Sequence, residues 1–159
     1  MMTIKSALRR MPGTFFWLML ILVALVACDT EDAEDRAEKD RKKIIDYLHE
    51  NELDYYEHES GVFIVMDNPG SGSHPEEGDR VRMSYTGYLL DGEIFDTAYN
   101  TDISLPNTVR GFRKGVMEFK RGGSGTILIP SGLGYGSSTT GSIPRNAVLI
   151  FDVEIIDFF

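Results

Sequence analysis

The densest set of residues able to form a site lies in Ser84-Tyr85-Thr86-Gly87-Tyr88-Leu89-Leu90-Asp91-Gly92-Glu93-Ile94-Phe95-Asp96, where two tyrosines, a phenylalanine and acids surround an Asp-Gly turn. These side chains supply walls and hydrogen bonds but no nucleophile. Ser84 has no assigned His and Asp partners, which leaves hydrolase chemistry unsupported. His49, His58 and His74 are scattered without ligand spacing, and Cys28 is the only cysteine, so no metal set is legible. Gly122-Gly123-Ser124-Gly125 lacks the Gly-Lys-Ser/Thr ending of a phosphate loop and reads as a turn. What remains looks like part of a binding pocket of aromatics with one lone carboxylate.

Such a pocket needs strands and a helix to gather its walls. Val62 to Met66 is a β-branched apolar run ended by the turn residues Asn68 to Ser73. From Asp79 to Leu89 the chain alternates, with Val81, Met83, Tyr85 and Leu89 on one face, so Tyr85 points inward with the core. Asp91-Gly92 signals a hairpin returning through Glu93-Ile94-Phe95. Phe112, Val116 and Phe119 stand at i, i+4 and i+7 and predict a short helix with one buried side, ended by Gly122 and Gly123. Thr126 to Ile129 reads as a strand. The last strand, Ala147 to Ile156, puts Leu149, Phe151, Val153 and Ile155 on a common face. Several strands around one short helix give an antiparallel α+β domain of about 100 residues, enough to bury its own core.

The front of the chain is organised differently. Thr14 to Ala27 is an unbroken apolar run behind Lys5, Arg9 and Arg10, shorter than the ~20 residues a spanning helix needs, and it matches a secretory signal. Leu25-Val26-Ala27-Cys28 resembles the lipobox of bacterial lipoproteins, which implies lipid on Cys28 and a lipid-anchored protein of the cell envelope, facing periplasm or cell surface. Losing the leader takes the basic count from 16 to 13 against 25 acids, a mature net of −12, which argues against nucleic acid as a partner. The domain reading is therefore residues 1–27 as signal, 28–37 as acidic tether, 38–60 as helical extension and 61–159 as the main domain. In the extension, about Asp35 to Asn51 favours helix with Ile44, Tyr47 and Leu48 on one stripe, as in a docking or spacer helix; a dimerisation helix is the other reading.

Four blocks carry a more specific likeness. Val81-x-Met83-x-Tyr85-Thr86-Gly87-x-Leu89-x-Asp91-Gly92-x-x-Phe95-Asp96 is followed by Val109-x-Gly111-Phe112-x-x-Gly115-Val116. Then come Ile129-Pro130-x-x-Leu133-Gly134-Tyr135-Gly136 and Ile143-Pro144-x-Asn146-Ala147-x-Leu149-x-Phe151-x-Val153-Glu154. In this order they resemble the FKBP-type peptidyl-prolyl cis-trans isomerases across residues 61–159, and the extension resembles that of envelope-associated members, including lipoproteins linked to gliding motility.

The resemblance implies a bent antiparallel sheet wrapped around a short helix, with the pocket between them. It assigns Tyr85, Phe95, Val109, Phe112 and Phe151 to the walls and floor around a proline ring, Asp96 to the pocket carboxylate and Ile143 to an apolar lip. Tyr135 takes the place of a hydroxyl that reaches a substrate carbonyl, and Val109 that of a backbone N–H that binds one. No cofactor is implied; the partners are proline-containing polypeptides, with macrolide-type inhibitors fitting the same pocket. Rotating an X-Pro bond breaks amide resonance against a barrier of ~18–20 kcal/mol without making any covalent bond. Shape and dryness therefore suffice. Two departures stand out: the floor is Phe112 where many members have tryptophan, and Tyr99 to Asn107 matches poorly, leaving Ile103 and Leu105 unassigned. A non-catalytic binding module or a structural component of an envelope machine is the competing reading.

Overall fold

Three stretches are apolar at consecutive positions: Val62 to Val65, Ile127 to Ile129 and Val148 to Phe151. Successive strand side chains point to opposite faces, so such strands need cover on both. The computed structural model, which describes residues 33–159, supplies a helix for each face. Helix α1 spans residues 33–50. It is followed by β1 (Tyr56–Glu57), β2 (Phe63–Asn68), β3 (Arg80–Tyr88), β4 (Ile94–Ser104), a 3-10 turn (Leu105–Asn107) and α2 (Arg110–Val116). The chain ends with β5 (Ser124–Ile129), a second 3-10 turn (Ser131–Leu133) and β6 (Leu149–Phe158). The predicted leader and Cys28 lie outside the described residues. No helix among the described residues is long and apolar enough to cross a membrane.

The strands form one six-stranded antiparallel sheet in the order β1-β2-β5-β6-β3-β4. On one face Ile64, Ile127, Ile129, Leu149, Phe151, Val153 and Ile155 meet Phe112 and Val116 of α2. On the other, Phe63, Val65, Leu128, Val148 and Ile150 meet Ile44 and Leu48 of α1. This α+β arrangement is the one expected, and α1 is a docked helix. Ile44 and Leu48 are fully buried, each worth about 1.5–3 kcal/mol relative to exposure.

Helix α2 lies unusually close to β5 because Gly111 and Gly115, one turn apart, face it. A Cβ at these positions would stand 2.3 Å from Ile129 Cγ2 and 2.4 Å from Ile127 Cγ2. Phe119, expected on the helix, lies beyond its end in a turn closed by its amide on the Val116 carbonyl, yet is fully buried. The segment Ser124-Gly125, expected as part of a turn, opens β5 instead. Its glycine is demanded by the neighbouring strand: a Cβ there would meet the Val65 carbonyl oxygen at 2.1 Å.

Candidate active site

The β3–β4 hairpin is closed by the Gly92 amide on the Leu89 carbonyl and the Leu89 amide on that of Glu93. Just beyond, the register shifts: Gly87 pairs with Asp96 while Tyr88 pairs with Ile94, leaving Phe95 as an extra residue. A bulge of this kind suspends strict alternation, and it lets two consecutive side chains, Phe95 and Asp96, serve the α2 side of the sheet. Gly87 makes the room. A Cβ on it would stand 2.6 Å from the Phe95 ring and 2.8 Å from that of Phe151.

The rings form a continuous edge-to-face group. Phe112 on α2 meets Phe151 on β6 with centroids 4.7 Å apart, and Tyr85 on β3 meets both, at 5.8 and 5.9 Å. Phe95 stands at 84° to Phe151, 5.4 Å away. Each such pair adds about 0.5–1.5 kcal/mol to area burial, so the group is held rigid by its own members. It borders a cavity of ≈ 210 Å³, smaller than the ~300–1,000 Å³ typical for drug-sized ligands and suited to one small ring with its flanking amides.

Of the eight residues singled out in the sequence, Tyr85, Asp96, Val109, Phe112, Tyr135 and Phe151 line this cavity. Phe95 braces Phe151 from behind. Ile143 is 5% exposed, packs into the same core and is not among the residues that line this cavity. The Tyr85 hydroxyl donates to Asp96 Oδ2 at 2.7 Å. Burial first, and then this bond, pushes the Tyr85 phenol well above the ordinary tyrosine range. Asp96 itself is solvent-exposed; water shares in satisfying it, and the dry end of the cavity lies deeper, at Phe112 and Phe151.

Among the cavity donors with no partner among the described residues are a main-chain amide at Val109 and a hydroxyl at Tyr135. Val109 precedes α2 in an extended conformation, its carbonyl accepting the Arg113 amide while its own N–H makes no hydrogen bond. Tyr135, 37% exposed, likewise has an unpaired hydroxyl. No group of three or more metal-ligating side chains occurs among the described residues. The arrangement can hold a small apolar ring and hydrogen-bond the carbonyls beside it.

The family model for FKBP-type peptidyl-prolyl cis-trans isomerase matches residues 71–156. The chain belongs to the FKBP-type peptidyl-prolyl cis-trans isomerase family. It is 33% identical over 102 residues to FkpA of Escherichia coli K12, covering 62% of this chain and 38% of that protein. To FkpA of Aeromonas hydrophila it is 37% identical over the same shares. FK506-binding protein 4 of Dictyostelium discoideum is 41% identical over 92 residues, 55% of this chain and 25% of that one. The match thus spans about two fifths of the FkpA proteins. Among solved structures, Escherichia coli FkpA superposes with a TM-score of 0.68 at 25% identity, covering 94% of this chain and 74% of that chain. A peptidyl-prolyl cis-trans isomerase from Pseudomonas syringae gives 0.67 at 25%, covering 79% and 94%.

In this FKBP-type chain the cavity has three further lining residues that the sequence left unassigned: Ile103, Asn107 and Thr108. Ile103 pairs with buried Val81, which puts it on the α2 face of the sheet. Leu105, also unassigned, is fully buried in the same core. The signal was present in the alternation Ile103-Ser104-Leu105. A second bulge hid it, because β4 carries one extra residue around Tyr99 and Asn100 that breaks the count from the hairpin.

Proposed function

We propose that the chain catalyses rotation about X-Pro peptide bonds without a cofactor. One observation carries this reading: an aromatic cavity of ≈ 210 Å³ is bordered by donors left unpaired among the described residues, the Val109 amide and the Tyr135 hydroxyl among them. The prolyl ring sits against Phe112 and Phe151, with Tyr85 and Ile103 at its sides. Val109 N–H and the Tyr135 hydroxyl take up carbonyls flanking the bond and fix the chain on either side of it. The planar amide is the more charge-separated form and gains most from water; the twisted form is less polar and loses less on entering the apolar end of the cavity. Preferring the twisted form lowers the barrier, each ~1.4 kcal/mol giving about tenfold.

Asp96 acts through Tyr85. Its carboxylate fixes the phenol at the cavity wall, and no proton transfer is required of it. Phe112 leaves more room beneath the prolyl ring than an indole would. The natural substrates in this reading are proline-containing exported polypeptides, and macrolide-type inhibitors compete for the same cavity. The apolar leader followed by Ala27-Cys28 supports a lipid-anchored envelope location.

Two experiments test this reading. Refolding of a reporter protein limited by a prolyl bond should speed up in proportion to substoichiometric amounts of the full-length chain; an unchanged slow phase would reduce the site to a binding groove. Radiolabelled fatty acid should enter the wild-type chain in cells and be absent from Cys28→Ser. Equal labelling of both would end the anchor assignment.

A further inference from the structure

Helix α1 carries a carboxylate that does not touch the cavity and is almost wholly enclosed. Asp40 is 1% exposed on a helix whose other acids and bases face solvent. Its Oδ2 accepts the Ser131 amide at 3.0 Å, and its Oδ1 accepts the Lys43 ammonium at 3.2 Å. Buried carboxylates persist only when so partnered, and a bond from an amide to a carboxylate is among the stronger kinds. The Ser131 hydroxyl is itself buried without a partner. Ser131 is thus held by its main chain.

That main chain carries the segment around Tyr135. The Ser131 carbonyl accepts the amides of both Gly134, at 3.0 Å, and Gly136, at 2.9 Å, the residues flanking Tyr135. The same turn is wedged against α2, where a Cβ on Gly111 would meet Leu133 Cβ at 3.1 Å. Among the described residues the Tyr135 hydroxyl has no hydrogen-bond partner, so its aim into the cavity is set by this backbone.

We propose that Asp40 is a positioning residue for Tyr135: through the Ser131 main chain it ties the amino-terminal helix to the turn that aims the Tyr135 hydroxyl into the cavity. This rests on the reading of Tyr135 as a donor to substrate. It makes α1 part of the site's support as well as cover for the sheet, and it links residues 91 positions apart.

The test uses the full-length chain labelled with 3-fluorotyrosine, the Tyr135 signal being assigned by its loss in Tyr135→Phe. Asp40→Ala should shift or broaden that signal and lower kcat/KM on a prolyl peptide by about three- to tenfold, the size of one lost hydrogen bond. Asp40→Asn, which keeps an acceptor for the amide, should restore both. In the Tyr135→Phe background, Asp40→Ala should cost little further activity. Ile44→Val loosens the same helix one turn away; it should lower the melting temperature while leaving the Tyr135 signal in place. Should Asp40→Ala not fold, Asp40→Glu, which displaces the acceptor by one methylene, gives the same comparison. An unmoved Tyr135 signal in the Asp40 variants, or losses that add in full to those of Tyr135→Phe, would overturn the proposal. A wild type without isomerase activity would fail the functional reading alone, and the fluorine signal would still decide the role of Asp40.

Discussion

The Tyr85 hydroxyl donates to Asp96 Oδ2 at 2.7 Å, joining β3 to β4 across the mouth of the cavity. Because Asp96 is open to water, Tyr85→Phe should cost under about 1 kcal/mol of stability, water replacing the lost donor. Its catalytic effect should be larger than its effect on folding, since the ring would lose its anchor beside Phe112 and Phe151. If Asp96 only orients the phenol, the isomerisation rate stays level through the weakly acidic range in protein that circular dichroism shows to be folded. A steep loss tracking one carboxylate would reassign Asp96 to proton transfer.

At alkaline pH the tyrosines should set the limit of stability. Burial foremost raises Tyr85 and Tyr88 well above the ordinary value of 10.0, and burial with a hydrogen bond to Glu118 pushes Tyr56 up to about 12. Above about pH 10 the unfolded chain releases phenolic protons that the folded chain still holds, so the unfolded state gains and stability falls as pH rises. The melting temperature should therefore decline from about pH 10 upward. Absorbance at the tyrosinate band should rise in step with unfolding for Tyr85 and Tyr88, which are less exposed than Tyr56. A Tyr85 phenol ionising near 10 in folded protein would contradict the packing described.

Gly87 should tolerate no side chain. A Cβ would stand 2.6 Å from the Phe95 ring and 2.8 Å from Phe151, so Gly87→Ala must push both rings toward the cavity. Overpacking of this sort costs about 1–3 kcal/mol, measurable by urea unfolding. Isomerase activity should fall further than stability predicts, since Phe151 is a cavity wall. An active, equally stable Gly87→Ala would mean that the rings do not depend on each other for their placement.

The parts legible in the sequence were those in which one local pattern decides the outcome. Val81, Met83 and Tyr85, and Leu149 through Ile155, alternate over enough residues to fix their faces, and Phe112 with Val116 fixes the inner side of α2. The obscure parts are those in which a distant segment decides. Ser124-Gly125 has turn composition, but the Val65 carbonyl across the sheet makes the glycine a strand residue. Ile103 was lost behind a bulge whose Asn100 amide is held by the Ser84 hydroxyl at 3.2 Å. In the sequence Asp40 is one more acid among the charges of α1, and its burial becomes visible only with Ser131 in place.

The cup of Tyr85, Phe112 and Phe151 is proposed to accelerate a prolyl rotation. The most direct measurement is the cis–trans exchange rate of a short X-Pro peptide with catalytic amounts of the full-length chain, followed by exchange NMR, beside Tyr135→Phe. The exchange rate should rise linearly with protein concentration and fall roughly two- to tenfold in the variant, the equivalent of one hydrogen bond of about 0.5–1.5 kcal/mol. Exchange at the uncatalysed rate with folded wild-type protein would leave the cup without a catalytic role.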